Sequence, residues 1–333
     1  MKLTVLNDVH LGAIRSGGTT PSTALALRKR LLKKFEELLP QEGDLMILGD
    51  LFDKANVPLG DVLETYKILC KWFEWNQSSK LYNVAGNHDL SGSSNVMSSF
   101  QFLGALLSHS YSDRYVHIES PQLTPWGYAI PHLRNQDTFD IELCDAPECS
   151  YMFLHANFES PFAKHSDQSL NFTRQQVQKA RVVVCAHEHQ ARSVGNVEIP
   201  GNQIASSVSD WLGAKTKRFL VIDESGHKYV ECARSENEFI ALDWKSLEST
   251  EHAFVRVEGS ATTEEASSVV NAINKFRKSS EALVVANAVK VSTDTGSVDF
   301  EATLQDVQGF SVLSALQSFL TAEEFKIIES LKA

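Results

Sequence analysis

Five short apolar runs, each closed by a cluster of metal-ligand side chains, limit what this chain can fold into more than any other feature. They read KLTVLNDVH, DLMILGDLFD, KLYNVAGNHD, SYMFLHANF and RVVVCAHEH, between Lys2 and His189. The first three are separated and followed by stretches of helical spacing, TALALRKRLLKKFEELL, LGDVLETYKILCKWFEW and SSFQFLGALLSH, and RQQVQKA predicts one more helix. Short apolar runs bounded by turn residues and alternating with amphipathic stretches indicate a layered α/β domain, its helices covering a largely buried sheet. Ligands of such domains gather at the carboxyl ends of the strands. The five clusters are therefore expected along one sheet edge, as one site.

Strands outnumber helices after about Ser150, through SVGNVEIPG, RFLVIDESG and HKYVECA. The segment RSENE, Arg234 to Glu238, is short, polar and unpatterned, which suits a linker. Beyond it FIALDW, AFVRVEG, the helical TTEEASSVVNAINKFRKSS, ALVVANAVKVS and SVDFEATLQDV predict a small α+β unit. Two amphipathic stretches, SVLSALQSFL and TAEEFKIIESL, close the chain. The expected division is 1–234, 235–309 and 310–333. With 333 residues, 43% of them hydrophobic and 22% charged, the chain can bury one large core and a smaller one. No apolar run reaches the length of a membrane span, and the first residues read as a strand, not as a signal peptide, so a soluble, cytoplasmic protein is expected. Cys70, Cys144, Cys149, Cys185 and Cys232 are odd in number and lack CxxC spacing. They are expected to be reduced and mostly buried.

The strand-end clusters supply Asp8, His10, Asp50, Asn87, His155, His187 and His189. Carboxylate oxygen, amide oxygen and imidazole nitrogen suit manganese, iron or zinc, and the absence of cysteine disfavours a structural zinc site. Seven donors are too many for one tetrahedral ion. They suit two ions sharing a carboxylate, the arrangement that clamps a phosphate for in-line attack. Taken singly, Asn87, His88 and Asp89 could form a polar turn, Asp8 and Asp50 could cap helices, and His155 could be a core histidine. Five clusters in order outweigh each of those readings. The basic run RKRLLKKF has Leu31, Leu32 and Phe35 at helical spacing and reads as the outer face of a core helix, in preference to a DNA patch. His109, His117, His132, His165, His227 and His252 are read as surface or packing residues, with His132 and His165 left open as lining of the cleft. A substrate contact from the loop RSGGTT is also left open. The net charge of -11 argues against binding nucleic acid through a basic surface of the chain's own; metal ions or a partner must supply positive charge.

In order, DVH, GDLFD, GNHD, the histidine of FLHANF, and HEH match the motifs of the calcineurin-like metallophosphoesterases. Through DVHLG, GDLFDKANVP and IPGNQIASSVSDWLGAKTKRFLVID, the chain further resembles the SbcD branch, the nuclease subunit of a DNA double-strand-break repair complex, including its phage-encoded members. The resemblance implies an α/β fold, a layered βαβ metallophosphoesterase sandwich with a second, smaller α+β domain capping the DNA. It implies that Asp8, His10, Asp50 and His189 hold one ion. Asp50, Asn87, His155 and His187 then hold the other, with Asp50 bridging. His88 is expected beside the phosphate, stabilising the transition state or protonating the leaving oxygen, with Asp89 orienting its imidazole. Ala186 departs from the glycine that commonly precedes the last histidine pair. Two divalent ions are implied, Mn2+ first, with Fe2+, Zn2+ or Mg2+ as alternatives. The implied activity is that of a DNA exonuclease or endonuclease in end processing, recombination, repair or replication. Its partners are DNA and an SbcC-like coiled-coil ATPase, in the host cytoplasm if the chain is phage-encoded; a homodimer is left open and no membrane is involved. The terminal stretches either pack on the small domain or present Leu316, Phe319, Phe325 and Ile328 to that ATPase. A stand-alone metallophosphatase or small-molecule phosphodiesterase is the alternative. Intact His88 and all seven ligands speak against a non-catalytic scaffold.

Overall fold

The computed structural model describes residues 1–15, 21–93, 95–160, 169–212, 217–232 and 238–292. His165, most of the RSGGTT loop, most of the expected linker and everything from residue 293 onward lie outside the described residues. The chain divides into two compact units. The first comprises Met1–Ile240, Thr250–Arg256 and Ser280–Ala286. It begins β1 (Lys2–Leu6), α1 (Pro21–Leu38), β2 (Asp44–Leu48), α2 (Leu59–Trp75), β3 (Leu81–Val84), α3 (Ser99–Ser110), β4 (Tyr115–Ile118), β5 (Gln122–Thr124) and β6 (Gly127–Ile130). It continues with α4 (Gln136–Asp145), β7 (Cys149–His155), β8 (Asn157–Phe158), β9 (Asn171–Phe172), β10 (Ala180–Ala186), β11 (Arg192–Val194), β12 (Val197–Ile199), α5 (Ser209–Leu212), β13 (Arg218–Asp223) and β14 (Gly226–Glu231).

These strands form two six-stranded sheets where the apolar runs alone predict one. The first has the order β14-β13-β1-β2-β3-β4, parallel from β1 to β4, with β13 antiparallel to β1. The second has the order β11-β12-β10-β7-β6-β5, parallel from β12 to β6 with antiparallel edges. Strand alternation explains the layers. Leu3, Val5, Met46 and Leu48 of the first sheet meet Phe153, Val184 and Ala186 of the second in one buried cluster. Their neighbours Leu6, Leu45 and Ile47 face the other way, onto Leu31, Phe35, Leu69 and Leu103 of α1 to α3. Met152, Leu154 and Val183 likewise face Phe139 and Leu143 of α4. The architecture is helix, sheet, sheet, helix, and burial on both faces is why the central strands read as continuous apolar runs.

The basic run of α1 is the outer face of a core helix. Leu27, Leu31 and Phe35 are buried, while Arg28 pairs with Asp61 at 2.7 Å and Arg30 with Glu238 at 2.6 Å. RQQVQKA yields only one 3-10 turn, Arg174–Val177, closed by a Thr173 and Gln176 capping box. The cysteines are all free but less buried than expected: Cys185 is buried, Cys144 exposed and the others half-buried. In the second unit, helix Ala266–Ser279 buries Val269, Ile273 and Phe276 along one stripe, and Ser260–Thr262 pairs in parallel with Lys290–Ser292. Among the described residues no helix is long and apolar enough to cross a membrane.

Candidate metal centre

Four of the five non-glycine residues with positive φ among the described residues are sequence-predicted ligands: Asp8 (50°), His10 (52°), Asp50 (52°) and His187 (94°). L side chains rarely adopt this region, and such strain persists where the surrounding structure enforces it, most often at functional sites. Here the chain turns sharply at the ends of β1, β2 and β10. Hydrogen bonds fix the turns: Asp8 N to Gly49 O at 3.1 Å, His10 N to Asp50 O at 3.0 Å, and His187 N to Asp8 Oδ2 at 3.0 Å.

The predicted ligands come together, but from the carboxyl ends of two sheets. His155 ends β7 and His187 follows β10, two strands that pair with each other from Ala180↔Cys149 to Ala186↔His155 and not with β3. Asp8, His10 and His189 offer ligand atoms within 4.8 Å of one another, as do Asp50, His155 and His187. Asn87 Oδ1 lies 3.0 Å from both His155 Nε2 and His187 Nδ1. Asp50 stands between the two groups, Oδ2 lying 3.4 Å from His155 Nε2 and 3.9 Å from His10 Nε2. Its Oδ1 accepts the backbone N–H of His88 at 2.9 Å. Asp8, His10, Asp50 and His155 are all buried.

Divalent ions fit this set. Asp8 Oδ1 is buried without a hydrogen-bond partner, a costly state for a carboxylate oxygen unless a cation meets it. His10 Nε2 and His189 Nε2 lie 3.0 Å apart, as two nitrogens sharing an ion would. Each of several imidazoles is oriented by its other nitrogen. His155 Nδ1 meets Leu48 O at 3.2 Å, and His189 Nδ1 meets Asp210 Oδ1 at 2.8 Å. Burial alone would lower the pKa of His155, but the Asp50 carboxylate prevails and raises it to about 9. Burial would raise that of Asp50, which His155, His10 and His88 instead hold far below the usual carboxylate range. Burial and the neighbouring His155 push His187 down to about 4.

His88 lies within ligand range of His10 and Asp50, and its ring meets that of His10 edge-on at 5.1 Å. Asp89 does not orient it, contrary to the sequence expectation. The Asp89 carboxylate accepts the backbone N–H groups of Gly86 at 2.9 Å and Phe52 at 3.1 Å, tying the loops after β2 and β3 together. Burial, then the Asp50 charge, raise its pKa to about 7. The partner of His88 Nδ1 is the Asp53 carbonyl oxygen at 2.5 Å. Asp53 is itself held by Arg15 through contacts of 2.8 and 3.0 Å.

Sequence reasoning missed Asp210, Gln203 and Asn7, which touch ligands or their neighbours, and left His132 unassigned. Asn7 and Asp53 stood inside or beside recognisable motifs, and Gln203 and Asp210 inside the segment IPGNQIASSVSDWLGAKTKRFLVID, but nothing in that segment said which ligand each would touch. His132 is buried, its ring 6.4 Å from that of His155, and burial followed by the His155 charge lowers its pKa to about 3. His117 meets Tyr115 and Glu119, and His109 and His227 are exposed, in keeping with surface or packing roles.

No curated protein matches the chain. Among solved structures, an archaeal phosphodiesterase is 12% identical, with a TM-score of 0.34 over 70% of this chain and 100% of that one. A cold-active protein-tyrosine phosphatase of a psychrophilic Shewanella is 13% identical, with a TM-score of 0.33 over 69% of this chain and 80% of that one. Residues 1–191, more than half of the 333, match the family model described as calcineurin-like phosphoesterase. Those residues contain β1 to β10 and all seven predicted ligands, and the chain belongs to the calcineurin-like phosphoesterase family.

Proposed function

We propose that this phosphoesterase hydrolyses phosphodiester bonds in DNA, as a two-metal exonuclease or endonuclease subunit that works with an SbcC-like coiled-coil ATPase. The observation that carries the reading is the shared carboxylate, Asp50, set between His155 at 3.4 Å and His10 at 3.9 Å. Two divalent ions, manganese first, supply the positive charge that phosphoryl oxygens and the attacking water require. Asp8, His10 and His189 would hold one of them, Asn87, His155 and His187 the other, with Asp50 available to both. The Asp53 carbonyl oxygen holds His88 by Nδ1, which leaves Nε2 to meet the phosphate and pass a proton to the leaving oxygen.

The preference for DNA rests on the SbcD-like segments DVHLG, GDLFDKANVP and IPGNQIASSVSDWLGAKTKRFLVID. The net charge of -11 suits a subunit whose DNA grip comes from its metals and an ATPase. In the same reading the second unit takes the DNA-capping role, and Leu316, Phe319, Phe325 and Ile328 dock the ATPase. The test is an assay with manganese on linear duplex and single-stranded DNA, with and without the ATPase, beside a small aryl phosphodiester. DNA cleavage stimulated by the ATPase supports the proposal. Turnover of the aryl ester with no cleavage of either DNA overturns it in favour of a stand-alone phosphodiesterase.

A further inference from the structure

One segment that contributes no metal ligand holds two ligands of the same ion. After β12 the chain passes through Gly201, Gln203, Ser206 and Asp210, all of them buried, and turns at Gly201 with φ 72°. Gln203 grips Asn7 reciprocally. Its Oε1 accepts the Asn7 backbone N–H at 2.7 Å, and its Nε2 donates to Asn7 Oδ1 at 3.0 Å. Asn7 Nδ2 in turn donates to Asp8 Oδ2 at 2.6 Å and to Gly201 O at 3.1 Å. Asp8 Oδ2 is thereby occupied, and the unpartnered Oδ1 is left to the cluster with His10 and His189. From the other end of the segment, Asp210 Oδ1 accepts from His189 Nδ1 at 2.8 Å. Its Oδ2 is fixed by the backbone N–H groups of Ser206 at 2.8 Å and Ser207 at 2.9 Å. His189 Nε2 is then the nitrogen turned toward His10.

The other half of the site lacks this support. Among the described residues no hydrogen bond runs from 201–210 to the side chains of Asn87, His155 or His187, and His155 is oriented by Leu48 O. We infer that Asp210 and the Gln203–Asn7 pair are positioning residues for one ion only, setting the affinity of the Asp8, His10 and His189 half. Outer partners of metal-bound histidines and carboxylates hold ring and oxygen in the binding orientation, and losing one typically weakens the metal about 10–100-fold. The inference rests on the two-metal reading above.

The test is titration of the metal-stripped full chain with Mn2+, following free and bound ion by electron paramagnetic resonance. The wild type should bind two ions and show the exchange-coupled signal of a pair. In Asp210→Asn, Asp210→Ala and Gln203→Leu, one ion should bind as in the wild type and the other about 10–100-fold more weakly. An uncoupled signal at one equivalent should then give way to the paired signal as manganese rises, a rescue that general misfolding would not permit. Asp61→Asn, at a buried carboxylate paired with Arg28 and hydrogen-bonded to none of the predicted ligands, should keep both ions. Should Asp210→Ala not fold, the nearly isosteric Asp210→Asn carries the test. Loss of both ions in step, or retention of both at full affinity, overturns the inference and leaves the two-metal reading standing. A wild type that binds fewer than two ions overturns both.

Discussion

Asp8, His10, Asp50 and His187 hold backbone conformations that side chains avoid, and the sequence predicts each of them as a ligand. What made them legible was chemistry at a strand end, not propensity, since propensity argues against positive φ for all four. The same local logic failed for Asp89. Adjacent to His88 in sequence, it serves the backbone N–H groups of Gly86 and Phe52, partners that exist only once two loops meet. The role of Asp210 went unread for a related reason, because only folding brings it to His189. In the proposed mechanism, with Nδ1 committed to the Asp53 carbonyl, His88 acts on the reacting groups through Nε2. His88→Asn should lower turnover of an aryl phosphodiester by about 10²–10⁴-fold. Elemental analysis should still find two ions, and metal loss would assign His88 as a ligand instead. His132 makes a separate prediction for the metal-stripped protein. Its folded pKa of about 3 lies below the ordinary 6.5, so between those values the unfolded chain takes up a proton that the folded chain refuses. The stabilisation is complete above pH 6.5 and is lost as pH falls toward 3. His132→Gln should flatten the pH dependence of urea unfolding between about pH 6 and 4.5 by about 1 kcal/mol per pH unit. An unchanged slope would contradict the neutral assignment.

Strand ends and their glycines carry the site at the next scale. The parallel run β1 to β3 could be read from strands alternating with helices, but β4 and the second sheet could not. Its pairing of β7 with β10 and the addition of β13 to β1 join residues remote in sequence, which periodicity does not encode. Helix α4 was missed as well: it buries only Phe139 and Leu143, and its clearest signal is the Asn135 cap, which accepts from Thr138 N at 2.8 Å. Gly49 shows how tightly the ends of β2 and β7 approach. Its φ is 81°, and a Cβ there would sit 2.0 Å from His155 Nδ1. Gly49→Ala must push the imidazole away from Asn87 and Asp50 as well as strain the turn. Stability should fall by about 1–3 kcal/mol. Activity should fall about 10²-fold, the usual cost of misplacing a reacting group by an ångström. A Cβ added at Gly60, in α2, would meet nothing within 4 Å. Gly60→Ala should therefore leave activity unchanged and stabilise the helix by about 0.5–1 kcal/mol. Urea unfolding and the aryl phosphodiester assay read both variants, and equal behaviour would refute the close-approach argument.

Among the described residues the unusual chemistry is concentrated in one of two units: every predicted ligand from Asp8 to His189 belongs to the first, Met1–Ile240 with its two later segments. Composition alone predicts a large core and a smaller one, and the net charge is read as a need for added positive charge. Neither could say that the two carboxylates Asp8 and Asp50 would be buried within a cluster of histidines, which requires the sheets to close on each other. Ions that bind the folded unit and not the unfolded chain must stabilise it, by about 2.7 kcal/mol for each site at one hundred times its dissociation constant. For a unit of this size that corresponds to a fall in midpoint on the order of 5–10 °C for each ion removed. Calorimetry of the full chain with manganese and then with excess chelator should show the transition of the first unit moving down by at least that amount. The second unit, comprising Ala241–Ser249, Val257–Ser279 and the residues from Asn287, contributes none of the seven ligands, so any transition of its own should stay where it is. If chelation left the first transition in place, the buried carboxylates would have to be stabilised by protonation or by the histidines alone. The shared position of Asp50 would then lose its chemical meaning.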